Sequence, residues 1–242
     1  MVILLNELRT KIFADGADMQ GILKMAANPL IKGFTTNPTL MRKANITDYE
    51  TFGREVLAKV PDRPVSLEVF ADDFAEMERQ ALQIASWGNN VNVKIPVTNT
   101  RGESAAPLIE RLSKQGVALN ITAIMVLAQV RSIVKAISAE VPTIVSVFAG
   151  RVADTGVDPV PHMIEAKKIL SDSPNAELLW ASPRELLNIF QANAIGCDII
   201  TVTNDILSKL YLIGKDLETY SLETVDMFYR DAAAAGYSIR ML

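Results

Sequence analysis

Eight short runs of apolar and β-branched residues recur along the chain, each followed by a stretch of helical periodicity. They are KIFADG from Lys11, GFTTNP from Gly33, VSLEVF from Val65, VNVKIPV from Val91, ALNITAI from Ala118, TIVSVF from Thr143, ELLWAS from Glu177 and DIITVT from Asp198. The stretches between them space apolar residues as Phe74, Met77, Ala81 and Ile84 do, or Leu108, Ile109 and Leu112. Repeats of roughly 20 to 33 residues suit βα units. Eight such units in 242 residues predict an α/β fold of the (β/α)8 TIM-barrel type. A doubly wound, flavodoxin-like sheet needs fewer strands and is the second choice. The whole chain, 1–242, reads as one barrel domain, with 221–242 as a C-terminal helical extension. Ser221 is its expected N-cap, and Leu222, Val225, Phe228, Tyr229 and Ala232 form an apolar stripe. That stripe must pack on the barrel or on another subunit.

Composition removes several classes of function. A hydrophobic content of 49% supplies a large core, while a net charge of -4 and a pI near 5.2 offer no basic field for nucleic acid. The apolar start of MVILLNELRTK is too short for a signal peptide or a membrane span, so no membrane partner is expected. The single cysteine, Cys197, excludes an internal disulfide and fits a cytoplasmic location. The single histidine, His162, argues against a histidine-built metal site. No glycine-rich nucleotide motif follows any strand, so no cofactor is expected.

Strand parity then separates core from chemistry. In NNVNVKIPVTN, Val91, Val93, Ile95 and Val97 share one face, and Asn92, Lys94 and Pro96 share the other. Catalytic groups of such barrels sit at the C-terminal ends of the strands. The inward parity there offers Asp15, Thr35, Asn37, Glu68, Lys94, Asn120, Thr122, Ser146 and Phe148, with Arg151 just beyond. Strand seven ends in Ser182, with Trp180 on the same parity, and strand eight ends in Thr203. A buried charge is costly unless paired, and a structural ion pair between Lys94 and Glu68 would account for two of the charges. Three ionisable groups beside Asn37, Asn120 and Thr122 point instead to an active site. Burial disfavours the charged form of an amine. A neutral amine attacks a carbonyl to form a Schiff base, an electron sink that lets the neighbouring carbon–carbon bond break. The residues therefore suggest a lysine-dependent aldolase or transferase.

Elsewhere plainer readings suffice. His162 is read as a solvated residue near a helix start, and Cys197 as packing before the last strand. Asp18 caps the first helix, Thr203, Asn204 and Asp205 cap a helix after strand eight, and Asp154 is placed to pair with Arg151.

The same residues carry a family likeness. GFTTNPTL (Gly33–Leu40), VNVKIPVT (Val91–Thr98), NITAI (Asn120–Ile124) and SVFAGRVAD (Ser146–Asp154) resemble, in order and spacing, motifs of the transaldolase family. The likeness is to the short-chain branch that includes fructose-6-phosphate aldolase, and it runs over nearly the whole chain. It implies a metal-independent class I enzyme in which Lys94 forms the Schiff base and Asp15 is the acid/base at the breaking C3–C4 bond. Glu68 and Thr122 would hold the water of the carbinolamine steps. Thr35, Asn37 and Asn120 would bind the dihydroxyacetone portion, and Arg151 the phosphate. Family transaldolases tend to carry glutamate and phenylalanine where the aldolase carries glutamine and tyrosine. Here Glu68 and Phe148 stand at those positions.

The expected activity is thus transfer of a dihydroxyacetone unit from a fructose 6-phosphate or sedoheptulose 7-phosphate type donor to an aldose phosphate. The alternatives are a lyase releasing dihydroxyacetone and a non-catalytic barrel that binds sugar phosphate. LLWASPRE (Leu178–Glu185) departs from the family pattern after strand seven. Ser182 there is expected as an N-cap with Pro183 at N1, so Ser182 and Arg184 would reach phosphate with altered geometry. The likeness further implies sugar phosphates as partners, carbohydrate metabolism of the pentose phosphate kind, and a homo-oligomeric ring, a pentamer or decamer.

Overall fold

The structure is a computed structural model that describes residues 5–241. All eight expected strands form: β1 (Lys11–Asp15), β2 (Ile31–Thr35), β3 (Val65–Glu68), β4 (Val91–Pro96), β5 (Leu119–Ile124), β6 (Thr143–Val147), β7 (Ala176–Trp180) and β8 (Ile199–Thr203). Each pairs in parallel with its successor. β8 returns to β1 with Lys11 opposite Ile199 and Asp15 opposite Thr203, closing the barrel. The chain folds as the TIM barrel that its alternation predicts, with a C-terminal helix beyond it.

Helices follow the strands: α1 (Met19–Ala26), α2 (Pro38–Lys43), α3 (Tyr49–Lys59), α4 (Phe74–Ala85), α5 (Ala106–Lys114), α6 (Leu127–Ala136), α7 (Ala149–Asp154), α8 (Pro159–Ile169), α9 (Leu187–Ala194), α10 (Asn204–Leu207) and α11 (Leu217–Ala234). Short acceptor side chains start many of them. Asp18, Asn37, Asp48, Asp73, Asp158 and Asp216 each accept a first-turn backbone amide, satisfying a donor the helix leaves open. Among the described residues no helix is long and apolar enough to cross a membrane.

The two strand faces have separate cores. Outward, Val65, Leu67, Val93, Ile95, Leu119, Ile121, Val145 and Trp180 lie against the helices in one continuous cluster. Each such side chain fully removed from water contributes about 1.5–3 kcal/mol. Inward, Phe13, Ile144, Leu179, Ala181 and Ile199 form a small apolar floor with Phe148 beside it. Gly33 belongs to this floor through what it lacks. A Cβ there would come within 2.6 Å of the Phe13 ring, so the ring fills the space a β2 side chain would need.

Several local expectations change. The C-terminal helix starts at Leu217 with Asp216 as its cap, so Ser221 lies inside it. Ser182 and Pro183 do not begin a helix. Ser182 has a left-handed φ of 60°, and α9 starts five residues later, at Leu187. Trp180 faces outward into the helix layer and does not narrow the interior. His162 is half-buried rather than solvated, with its Nε2 enclosed and unpartnered among the described residues.

No residue of α11 is buried. Leu222, Phe228 and Tyr229 on its apolar stripe stay 70%, 63% and 74% exposed, so the barrel of the same chain does not cover it.

Candidate active site

The C-terminal ends of the strands surround a cavity of about 550 Å³. Asp15, Thr35, Asn37, Glu68, Lys94, Asn120, Thr122, Ser146, Phe148, Arg151, Ser182 and Arg184 all line it, while Trp180 and Thr203, also read as inward, do not. Inward parity explains most of this. Glu68 stands opposite Lys94, Lys94 opposite Asn120, and Asp15 opposite Thr35 in the parallel ladders.

Lys94 is only 6% exposed. Its Nζ lies 3.2 Å from a Glu68 carboxylate oxygen and donates to the Thr36 carbonyl at 2.9 Å. The ion pair alone does not mark chemistry, since buried pairs also occur for structural reasons. What distinguishes the site is the second carboxylate, Asp15, in the same enclosure. Burial raises the Asp15 carboxyl above its ordinary 3.8, and this outweighs the lowering effects of the Lys94 charge and the Thr35 hydrogen bond; Glu68 adds to the rise. The Thr35 hydroxyl donates to Asp15 at 2.7 Å.

A hydrogen-bond chain runs across the barrel beside the lysine. Ser146 Oγ donates to Asn120 Oδ1 at 2.6 Å, and Asn120 Nδ2 donates to Ser66 Oγ at 2.9 Å. All three residues are buried, so this satisfied network fixes the orientation of the Asn120 amide. The Thr122 hydroxyl is the exception: it is buried and has no partner among the described residues. An orphaned buried hydroxyl at a cavity wall is a group that a water or a ligand can satisfy. Asn37 caps α2 through its side-chain oxygen, which accepts from the Leu40 amide at 3.0 Å.

The cationic rim differs from expectation in one pairing. Asp154 binds Arg184, whose Nε donates to Asp154 Oδ1 at 2.9 Å, and not Arg151. The Arg151 guanidinium instead lies over the Phe148 ring, 5.4 Å from its centroid. Sequence reasoning missed Lys43 and Thr201, which also line the cavity. Lys43 ends α2 and carries no strand-parity signal. Thr201 does lie on the inward parity of β8, two residues before Thr203, and could have been found there; Thr203 itself is the residue before α10 and caps it without a side-chain bond.

The Asp15 shift has a consequence for stability. A carboxyl that holds its proton more tightly when folded stabilises the fold most below the ordinary 3.8 and loses that contribution as pH rises toward its folded value. Removing the charge should therefore help above that window. Asp15→Asn is expected to raise the thermal unfolding temperature at pH 7 and to flatten its fall between pH 4 and neutrality, as followed by circular dichroism. An unchanged or lower midpoint at pH 7 would mean that the Lys94 attraction, and not burial, dominates.

A profile of the family described as "Transaldolase/Fructose-6-phosphate aldolase" matches residues 12–239. A protein from Dehalococcoides mccartyi named "Probable transaldolase" is 34% identical over 201 residues, covering 83% of this chain and 89% of its own. One of the same name from Streptococcus agalactiae is 32% identical over 214 residues, covering 87% and 95%. Among solved structures, KGPDC from Streptococcus mutans superposes with a TM-score of 0.57 at 8% identity, covering 82% of this chain and 90% of that one. CdNal from Clostridium difficile, solved with mannosamine, gives 0.55 at 11%, covering 92% and 83%. At these identities the two structures share the barrel alone. The profile and the sequence relatives go further: this chain belongs to the transaldolase/fructose-6-phosphate aldolase family.

Proposed function

We propose that the protein transfers a dihydroxyacetone unit from a ketose phosphate to an aldose phosphate through a Schiff base on Lys94. The observation that carries this reading is one amine, nearly closed off from solvent, held between Glu68 and a cavity that also contains Asp15, a carboxyl that burial makes more basic than usual. Lys94 attacks the ketose carbonyl, and the resulting carbinolamine loses water to give the iminium. Glu68 and the unpartnered Thr122 hydroxyl hold that water and return it at hydrolysis. Asp15 takes the proton from the C4 hydroxyl as the C3–C4 electron pair moves into the iminium, leaving an enamine on Lys94 and a free aldehyde. The enamine then adds to an acceptor aldehyde, and Asp15 gives the proton back.

Asn37, Thr35 and Asn120 hold the three-carbon unit, the last aimed by its bonds to Ser66 and Ser146. The substrate phosphate lies at the rim with Arg151, Ser182 and Arg184. Arg184 already shares its guanidinium with Asp154, so Arg151 carries more of the anion's charge. Phe148 favours transfer over release: it has no hydroxyl to protonate the enamine, which therefore persists until an acceptor arrives. No metal enters this scheme, because the iminium does the electron-withdrawing work. The exposed stripe of α11 supports assembly into a homo-oligomer in which a second copy covers Leu222, Val225 and Phe228. The lone buried Cys197 suits a reducing, cytoplasmic setting.

Three outcomes are expected. Borohydride reduction in the presence of fructose 6-phosphate should add a dihydroxyacetone-derived mass to the peptide containing Lys94. Lys94→Met should lose both the adduct and at least 10²-fold in turnover; an adduct on another lysine sinks the scheme. Phe148→Tyr should raise the ratio of free dihydroxyacetone to transfer product several-fold in assays with and without acceptor, and an unchanged ratio would remove the enamine argument. By sedimentation the protein should be larger than a monomer, and Val225→Glu with Phe228→Glu should reduce it to single chains; a monomeric parent protein contradicts the assembly.

A further inference from the structure

We propose that Thr201, on β8, is a positioning residue for Asp15, acting through the Thr35 hydroxyl; this rests on the reading of Asp15 as the acid/base. β2 and β8 flank β1 on either side, and their inward threonines meet over it. The Thr201 and Thr35 hydroxyl oxygens are in hydrogen-bond contact, and both residues are buried, at 6% and 2% exposure. A hydroxyl has one proton to donate. Thr35 gives its proton to Asp15 Oδ1, so with Asp15 ionised the bond between the threonines must run from Thr201 to Thr35. The direction of the whole chain is then fixed: Thr201 to Thr35 to the carboxylate.

Such a chain polarises along its length, and bonds to an ionised acceptor are the stronger ones. Thr201 thus supports the ionised state that has to receive the C4 proton. When Asp15 is protonated on Oδ1 the chain can reverse, Asp15 donating to Thr35 and Thr35 to Thr201. Both protonation states of an acid/base therefore keep their partners without any side chain moving, and the carboxyl stays in one orientation throughout. The floor below supports this, since Phe13 on β1 stands opposite Thr201 and blocks a retreat of either hydroxyl deeper into the barrel. The charged groups facing Asp15 are Lys94 from β4 and Glu68 from β3, while Lys43, Arg151 and Arg184 line the wider cavity. None of these touches Thr201 through a hydrogen bond among the described residues.

The test compares Thr201→Val, which keeps the shape and loses the hydroxyl, with Thr201→Ser, which keeps the hydroxyl. The Asp15 carboxyl is titrated directly by ¹³C NMR on protein labelled at aspartate, with Asp15→Asn identifying the resonance. Thr201→Val is expected to raise the Asp15 midpoint by about half a pH unit, the scale of cooperative loss in a charged hydrogen-bond chain, and Thr201→Ser to restore it. The acid limb of kcat/KM for transfer should move upward by the same amount in Thr201→Val, with KM little changed. A Thr201→Val midpoint equal to wild type in a folded protein overturns the inference, as does a Thr201→Ser midpoint that follows valine. A shifted carboxyl with an unmoved kcat/KM limb upholds the coupling and instead removes Asp15 from its proposed catalytic role.

Discussion

Lys94 shares the barrel mouth with two carboxylates, and that three-charge cluster is what the surrounding structure has to accommodate. Burial there disfavours an ionised carboxyl by more than the Lys94 charge and the Thr35 hydrogen bond return, so Asp15 is raised above its ordinary range, with Glu68 adding a smaller rise. Glu68 takes the direct contact with the lysine. The neutral neighbours are arranged around this imbalance: Thr35 donates to Asp15, the Thr36 carbonyl accepts from Lys94, and Asn120 is turned by Ser66 and Ser146. Replacing the cluster with apolar residues of similar volume would cost no burial of charge. Its presence is therefore better explained by chemistry than by stability.

The barrel tolerates this cluster because its two faces do different work. The outward face supplies the continuous apolar layer against the helices, while the inward floor of Phe13, Ile144, Leu179 and Ile199 closes the barrel below the polar groups. Stability can be concentrated on one parity and chemistry on the other only while the strands stay in register. The ladders keep Glu68, Lys94 and Asn120 abreast on three adjacent strands. A one-residue slip in β4 would exchange the Lys94 amine for Val93 or Ile95.

This also explains what could be read in the sequence. Strand starts are legible to within two residues because β-branched runs and parity are local properties. So are the inward residues of β1 to β6, and Asp18 as the first cap. The failures lie where one residue breaks the local rule. Counting parity through ELLWAS places Trp180 inward with Ser182, but the left-handed backbone at Ser182 turns that residue into the cavity while Trp180 stays on the outer face. Nothing in the residue type announces this, since serine at positive φ is uncommon. The start of α11 is ambiguous in the sequence because Ser221 and Asp216 are both plausible acceptors, and the five more residues of helix make no difference to the stripe. Asp154 lies nearest Arg151 in sequence, but its partner Arg184 comes from the far side of β7.

Ser182 has a counterpart in Ala123, which also has a left-handed φ, at the end of β5 where the ladder to β6 shifts between Ile121 and Ile124. Both line the cavity, and a non-glycine residue in this region costs of order 1–3 kcal/mol and persists only where packing enforces it. For Ser182 the enforcement is visible. The start of α7 lies so close to it that a Cβ on Gly150 would come within 1.5 Å of the Ser182 carbonyl oxygen, and the Gly150 amide donates to the Ala181 carbonyl at 3.3 Å. Glycine at position 150 is thus what allows α7 to seat against the end of β7. That seating puts Arg151, carried by α7, on the same rim as Ser182 and Arg184, and lets Asp154 reach across to Arg184. The glycine of SVFAGRVAD and the strained serine of LLWASPRE form one device, in which close backbone contact between the ends of two strands assembles the cationic rim that neither strand holds alone.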